Sequence, residues 1–189
     1  MGTAVTSDPT TTFEIRYADL FAPAPAHLPK ARWPLDRLTY DDNHIHGLLE
    51  ITIAGRALPS MSYFEDGEVC INEWVDVLLA ARRDLSVADV ASYVYDDAEQ
   101  GQPGYRFDRK VDTLNVSVIE GVRGGGRADP SFQRVACRWA DFVREVDAFL
   151  TGLHASVLSA APVEGTAWWA ERSADNEPSA IGRQPPASL

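Results

Sequence analysis

The sequence has little of the material from which common catalytic sites and disulfide scaffolds are built. Its 189 residues include only two cysteines, Cys70 and Cys137, and four histidines. Two cysteines with apolar neighbours predict buried free thiols rather than a disulfide framework. A Gly-rich phosphate loop, a Cys-x-x-Cys pair and a nucleophile elbow are all absent from the sequence. We therefore expect a non-enzymatic binding protein rather than an enzyme, and we expect no cofactor.

Positive charge is also scarce. Lys30 and Lys110 are the only lysines, and the formal net charge is −11. Nucleic acids and anionic membrane surfaces attract clustered Lys and Arg, so we expect neither as a partner. A strongly acidic surface attracts basic proteins instead. The composition therefore predicts a basic protein partner and leaves the oligomeric state open.

Long apolar runs are missing as well. No segment approaches the roughly 18 apolar residues that indicate a membrane-spanning helix. The N-terminus lacks the basic and apolar regions of a signal peptide. We therefore predict a cytoplasmic protein.

The chain length fits one domain with tails. Residues 1–11 are small and polar, which predicts a disordered N-terminal tail. Residues 12–160 contain the periodic apolar patterns and form the predicted domain. Residues 161–189 are poor in apolar side chains apart from Trp168 and Trp169, which predicts a mostly disordered C-terminal tail.

Apolar periodicity predicts the elements of this domain. Alternation of apolar and polar residues, typical of half-buried strands, occurs at Phe13–Tyr17, Leu48–Ala54, Val90–Tyr95, Tyr105–Arg109 and Thr113–Ile119. Helical spacing predicts one helix that Asn72 caps and another that runs from Ala140. Short connections favour antiparallel pairing. We predict an α+β fold: an antiparallel sheet of about five to six strands with two amphipathic helices packed on one face.

Residues 132–139 fit two different structures. Asp129-Pro130 would cap and open a helix that continues into the next one. That helix would have about 30 residues, far above the usual length. Val135, Cys137 and Trp139 also alternate as in an edge strand. We favour the extended structure.

One segment has the composition of a metal site. In an extended chain, His44 and His46 lie on the same side. Two imidazoles and the carboxylate of Glu50 would suit zinc or iron. The pattern His-x-His-x-x-x-Glu resembles the first motif of the cupins, although Leu38 and Ala57 stand where the flanking glycines of that motif fall. A small metal-dependent enzyme with a cupin-like site is therefore an alternative to the binding protein.

Acidic clusters are the basis of the binding-protein hypothesis. The candidate partner-binding acids form two groups, which are Glu65, Asp66 and Glu68, and Asp96, Asp97 and Glu99. If both groups border one end of the sheet, they form a patch that speeds association with a cationic partner. A solvated rim without a partner is the alternative. Trp168 and Trp169 would either dock a partner, as in an accessory or regulatory protein, or fold back onto their own domain.

The order of elements is similar to that of known proteins. The similarity rests on the segments Phe13–Leu20, Gly47–Gly55, Tyr105–Phe107, Ser117–Glu120 and the closing helix Phe142–Leu153. Together they resemble a family of small actinobacterial proteins with a domain of unknown function. The order is also similar to that of wall-associated-toxin-type immunity proteins. The resemblance implies a cytoplasmic toxin-neutralising protein that engages its partner through acidic patches and an exposed sheet face, and it assigns no catalytic residue.

Overall fold

The computed structural model describes residues 12–24, 32–39, 44–61, 67–96, 103–121 and 127–175. These residues form nine β-strands and three α-helices. The strands are β1 (Phe13–Pro23), β2 (Arg32–Trp33), β3 (His46–Ile53), β4 (Arg56–Ala57), β5 (Glu68–Cys70), β6 (Val90–Tyr95), β7 (Gly104–Lys110), β8 (Thr113–Ile119) and β9 (Val135–Arg138). The helices are α1 (Ile71–Ser86), α2 (Trp139–Ala160) and α3 (Pro162–Asp175). The predicted N-terminal tail, residues 1–11, lies outside the described residues.

The strands pair into two antiparallel sheets, which confirms the predicted α+β class. The first sheet has the order β2-β1-β3-β4, and β5 also pairs with β3; the second has the order β6-β7-β8-β9. The prediction of one sheet with about five to six strands is therefore corrected to two sheets. The cause is α1, which carries the chain from β5 at one sheet to β6 at the other, so that the strands on either side of the helix pair in separate groups.

Strand β3 presents two different faces. Leu49, Ile51 and Ile53 are buried in the core. His46, Leu48 and Glu50 alternate with them and therefore lie on the outer face of the first sheet. On one side β3 pairs with β1, where Phe13 is opposite Ile53. On the other side it pairs with β5, where Cys70 is opposite His46.

The second sheet confirms the extended structure predicted within residues 132–139. Strand β9 pairs with β8, and helix α2 begins at Trp139. Val135 and Cys137 are buried while Ala136 and Arg138 are exposed. Burial of every second residue is the pattern of a strand with one face on the core, which is why this segment is extended. Burial raises the pKa of the Cys137 thiol to about 12, and the nearby Asp141 adds to that shift.

Aromatic side chains join both sheets to the helices in one core. From α2, the ring of Phe142 contacts Phe13 of β1 edge to face, with centroids 5.1 Å apart. From α1, Trp74 contacts Tyr105 of β7 in a similar way at 5.2 Å. Edge-to-face contacts are a favoured arrangement of aromatic pairs. In the part of the chain that the structure describes, no helix combines the length and apolar character needed to cross a membrane.

Helix α3 corrects the prediction of a disordered tail from residue 161; residues 176–189 lie outside the described part. Its buried side consists of Ala161, just before the helix, with Gly165 and Trp168. A Cβ at Gly165 would lie 3.0 Å from a methyl group of Val157 on α2, so the two helices pack closely. Small residues allow this approach, and the apolar stripe of α3 contains a single large side chain. A count of large apolar residues therefore misses the helix.

The carboxylate of Asp141, in the first turn of α2, stabilises the junction between β9 and that helix. Its side chain is 1% exposed and accepts hydrogen bonds from Arg138 at 2.7 and 3.0 Å and from Arg144 at 2.6 Å. Burial would raise the pKa of Asp141, but the two guanidinium groups outweigh burial and hold the pKa below its usual value. The native state therefore favours the ionised carboxylate.

We expect Asp141→Asn to lower the free energy of unfolding by about 1–3 kcal/mol at neutral pH, since two charged donors lose their anion. The folded pKa is depressed, so the stabilisation is present above the unfolded pKa of about 3.9 and is lost as the pH falls through the folded pKa. Denaturant unfolding at several pH values measures this difference. As a control, Asp147→Asn removes a pair with Arg82 that is about half exposed and should cost less than about 1 kcal/mol. Equal losses for both variants would contradict the role given to Asp141.

Candidate functional site

The structure brings His44, His46 and Cys70 together. One ligand-type atom from each side chain, a ring nitrogen or the sulfur, lies within 4.8 Å of the other two. His46 begins β3, and the antiparallel register places it opposite Cys70 at the end of β5. His44 lies two residues before His46. Among the residues that the structure describes, this is the one group of three or more His, Cys, Asp or Glu side chains arranged to hold a metal ion.

Glu68 supports the imidazole of His46. A carboxylate oxygen of Glu68 lies 2.8 Å from Nδ1 of His46, and the other lies 3.5 Å from the guanidinium of Arg32. Both His46 and Glu68 are largely shielded, with side chains 13% and 17% exposed. In metal sites, a carboxylate bound to one ring nitrogen of a histidine fixes the tautomer and orientation of the ring. Glu68, which the sequence suggested as a partner-binding acid, is therefore an internal partner of His46.

Cys70 is the residue immediately before helix α1 and is buried, with 9% of its surface exposed. Burial raises the pKa of the Cys70 thiol, and the negative charge of Glu73 also raises it. Hydrogen bonds from the backbone N–H groups of Asn72 and Glu73 oppose this rise. A buried thiol of this kind stays protonated unless a cation stabilises the thiolate.

Glu50, the predicted third ligand, lies outside this cluster, and Cys70 takes its place. The reason is the length of an extended chain. Four residues along a strand span about 13 Å, so Glu50 is too far from His46 to share an ion with it. Glu50 is exposed and lies opposite Arg16 of β1.

A shallow groove adjoins the cluster on the outer face of the first sheet. Its volume is about 320 Å³. The lining residues are Arg16, Tyr17, Ala18, Leu48, Leu49, Glu50 and Gly67. Leu48 connects the two features, because it lies two residues after His46 in β3 and opposite Glu68 of β5. The groove and the cluster therefore share strand β3, and the lining of the groove includes none of the three cluster residues.

The predicted acidic patch is only partly described. Glu65, Asp66, Asp97 and Glu99 lie outside the described residues. Glu68 is engaged by His46 and Arg32, and Asp96 is half-buried. Binding of a basic protein partner through these acids therefore stays a prediction.

The two adjacent tryptophans of α3 fold back onto their own domain. Trp168 is 1% exposed, and its Nε1–H donates to Oδ1 of Asn72 at 3.2 Å. Trp169 is half-buried and stacks on His154, with ring centroids 4.4 Å apart. Of the two alternatives for this pair, folding back is the one observed, and the buried ring of Trp168 offers no surface to a partner.

Asn72 has a role that the sequence did not reveal. It was predicted to cap α1, but the helix begins at Ile71 after Cys70, and the side chain of Asn72 is buried. Its Oδ1 accepts hydrogen bonds from the backbone N–H of Ile45, at 3.0 Å, and from Trp168. Asn72 therefore ties the His44–His46 segment to α3.

The similarity to immunity proteins rests on the order of elements and stays a prediction. Family models, curated proteins and solved structures were each compared with this chain, and none of them matches it.

Proposed function

We propose that this chain is a metal-binding protein in which His44, His46 and Cys70 bind one divalent transition-metal ion, zinc in the first place. The observation that supports the proposal is the convergence of three ligand-type atoms within 4.8 Å of one another. His46 begins β3 and Cys70 ends β5, and main-chain pairing between these strands fixes the relative position of the two residues. His44 lies in the segment before β3, which the hydrogen bond from the backbone N–H of Ile45 to Asn72 attaches to α1. The cluster is therefore held by the fold rather than by a single loop.

The donor atoms select the class of ion. Two imidazole nitrogens and a thiolate suit zinc and other borderline or soft ions, whereas calcium and magnesium prefer oxygen donors. The sequence suggested a site for zinc or iron made of two imidazoles and a carboxylate; a thiolate in place of the carboxylate favours zinc over iron at this site. Zinc with two neutral imidazoles and one thiolate has a net charge of +1, which the carboxylate of Glu68 offsets.

Three protein ligands leave a tetrahedral ion with one open position. Catalytic zinc sites have this ligand number, and zinc there lowers the pKa of a bound water and polarises carbonyl groups. The groove that Leu48 lines would accept a small molecule on the same face of the first sheet. A metal-dependent enzyme is therefore the form of the proposal that uses both features.

The test is the zinc content of the reduced protein after equilibrium dialysis against buffered zinc. We expect one zinc per chain in the wild type. His44→Ala and Cys70→Ser should bind about 100-fold more weakly or worse. Glu68→Gln, which removes the carboxylate that supports His46 and pairs with Arg32, should bind about 10–100-fold more weakly.

The chain offers matched controls for both ligand types. Cys137 is the other buried thiol, and His154 lies on α2 away from the cluster. Cys137→Ser and His154→Ala should keep the wild-type zinc content. The proposal fails if the folded wild type binds less than one zinc, or if the control variants lose zinc as Cys70→Ser does.

We also propose that the protein acts in the cytoplasm. Cys70 and Cys137 are both free thiols. Reducing compartments preserve free thiols, whereas secreted proteins tend to pair theirs. A reducing compartment would also keep Cys70 available as a thiolate ligand.

A further inference from the structure

Strand β6 is an edge of the second sheet without the usual protection. Within the described residues its only strand partner is β7. Its sequence, Val-Ala-Ser-Tyr-Val-Tyr, contains no charge, proline or glycine. Proteins usually block an open edge with lysine, proline, a bulge or a covering segment, because unpaired backbone groups recruit another strand. Among the described residues, no strand pairs with the edge of β6 that faces away from β7, so this edge is available for main-chain pairing.

Exposed apolar side chains concentrate at the same edge. The large hydrophobic residues exposed in the described part of the chain are Val87 (80%), Val90 (71%), Val94 (43%), Val111 (50%) and Val163 (75%). Val90 and Val94 lie on the outer side of β6, and Val87 lies between α1 and β6. The backbone N–H of Val111 donates to the carbonyl of Asp89, which brings this valine beside the start of β6. Three of these five valines, Val87, Val90 and Val111, thus lie around the start of β6, and Val94 lies near its end.

We infer that β6 pairs with β6 of a second copy of this chain, antiparallel and centred on Ser92, around a twofold axis. The two second sheets would then form one continuous sheet. Twofold dimers are the commonest soluble oligomers, and they require a surface that complements itself. This inference is independent of the metal site.

The sequence of β6 complements itself in this register. With Ser92 opposite Ser92 of the second copy, Val90 faces Val94 on the outer side, so exposed valines cover each other. On the inner side, the small Ala91 faces the large Tyr93. Tyr95, the last residue of β6, faces Asp89, which lies just before the strand, and no two charged residues face each other within the strand. Apolar and aromatic cross-strand pairs of this kind stabilise a sheet.

A different register is less favourable. Directly opposed residues share a face only if the register moves in steps of two residues. Centring the pair on Tyr93 would place Val90 opposite Asp96 and would set two tyrosine rings against each other. The pairing of valine with valine thus selects Ser92 as the centre.

The net charge of the chain makes association of the dimer depend on salt concentration. Each copy has a formal net charge of −11, so two copies repel each other over long distances, while β6 itself is uncharged. Salt screens such repulsion. We expect association to strengthen as salt rises, whereas binding of a basic foreign protein would weaken.

Cross-linking of single-cysteine variants tests the register. In Ser92→Cys, the two introduced cysteines would face each other with Cβ atoms about 5 Å apart, within reach of a disulfide after small adjustment. In Val90→Cys, the two introduced cysteines would be four residues apart along the strands, about 13 Å. Mild oxidation of the full-length protein with a chelator present should therefore give a covalent dimer for Ser92→Cys and none for Val90→Cys.

Sedimentation of the full chain over a range of concentrations tests association without cysteines. We expect a dimer in the wild type and a dimer weakened on the order of tenfold or more in Val94→Lys, because an edge lysine opposes pairing. The control Val163→Lys changes a more exposed valine on α3, 75% against 43% for Val94, and should leave the dimer intact. A wild type that stays monomeric throughout, or equal cross-linking at positions 90 and 92, would overturn the inference.

Discussion

Replacing Trp168 by alanine is expected to lower the free energy of unfolding by about 3–5 kcal/mol, the usual cost of truncating a buried aromatic side chain. Trp168 is among the largest fully buried side chains of the molecule. Its removal would leave a cavity between α3 and the start of α1. Since the whole stability of a domain of this kind is about 5–15 kcal/mol, the variant should be close to the limit of folding.

Polar contacts around Trp168 add to this cost. Its Nε1–H donates to Asn72, and the guanidinium of Arg172 lies 4.6 Å from the centre of its ring. A cation over a tryptophan face stabilises by about 0.5–2 kcal/mol. Arg172 also contacts Asp76 of α1 at 3.8 Å. The ring thus holds α3 to the rest of the domain through several partners.

Trp169→Ala is the matched control, because it removes the same side chain one position later. Trp169 is half-buried and stacks on His154, so its loss should cost only about 1–2 kcal/mol. Denaturant unfolding followed by circular dichroism measures both variants without depending on tryptophan fluorescence. If Trp168→Ala were no less stable than Trp169→Ala, α3 would not be docked as described.

Because α3 packs into the domain, deleting the C-terminal segment would also perturb the rest of the structure. Deleting the chain after Pro162 would remove Trp168 from the core and break its bond to Asn72. Asn72 also binds the backbone between His44 and His46. A loss of function in such a deletion would therefore report on the domain and the metal cluster, not on a separate docking tail.

Residues with a simple burial period were predictable from the sequence. The alternation at Val90–Tyr95 and Thr113–Ile119 predicted β6 and β8 with their observed bounds. In both strands, apolar side chains tend to alternate with polar or small ones, so the two faces differ in polarity. The helical spacing from Ala140 predicted the start of α2 within one residue. Where one face of an element is buried, the period of apolar residues identifies it.

Residues whose role depends on long-range pairing were not predictable. Cys70 is 24 positions after His46, and only the register of β5 on β3 makes them neighbours. Glu50 is close to His46 in sequence, but the extended chain separates the two. The histidine pair was identifiable because its spacing is local, while the choice of its third ligand depends on the pairing of strands.

The roles of Asn72 and α3 were also not predictable from the local sequence. Asparagine before an apolar stripe usually caps a helix, but this side chain is buried where it satisfies two donors from other elements. Helix α3 has one large buried residue among small ones, and close packing against α2 stabilises it rather than a broad apolar face. Both features depend on neighbours that the local sequence does not contain.

Cobalt(II) gives the sharpest prediction for the metal site, because a thiolate ligand has its own optical signature. We expect the reduced wild type, titrated with cobalt(II), to develop a near-ultraviolet thiolate-to-metal charge-transfer band and the visible bands of tetrahedral cobalt, both complete at one ion per chain. Zinc should bleach both, since it binds more tightly than cobalt to sites with these donors. Cys70→Ser should lose the charge-transfer band entirely, while Cys137→Ser should keep it.

The cobalt spectrum of the wild type beside Cys70→Ser and Cys137→Ser is the measurement that tests the proposed function most directly. We expect a charge-transfer band that saturates at one cobalt per chain and that, of the two cysteines, depends on Cys70 alone. A wild type without this band, or a band that survives in Cys70→Ser, would contradict the assignment of Cys70 as a metal ligand.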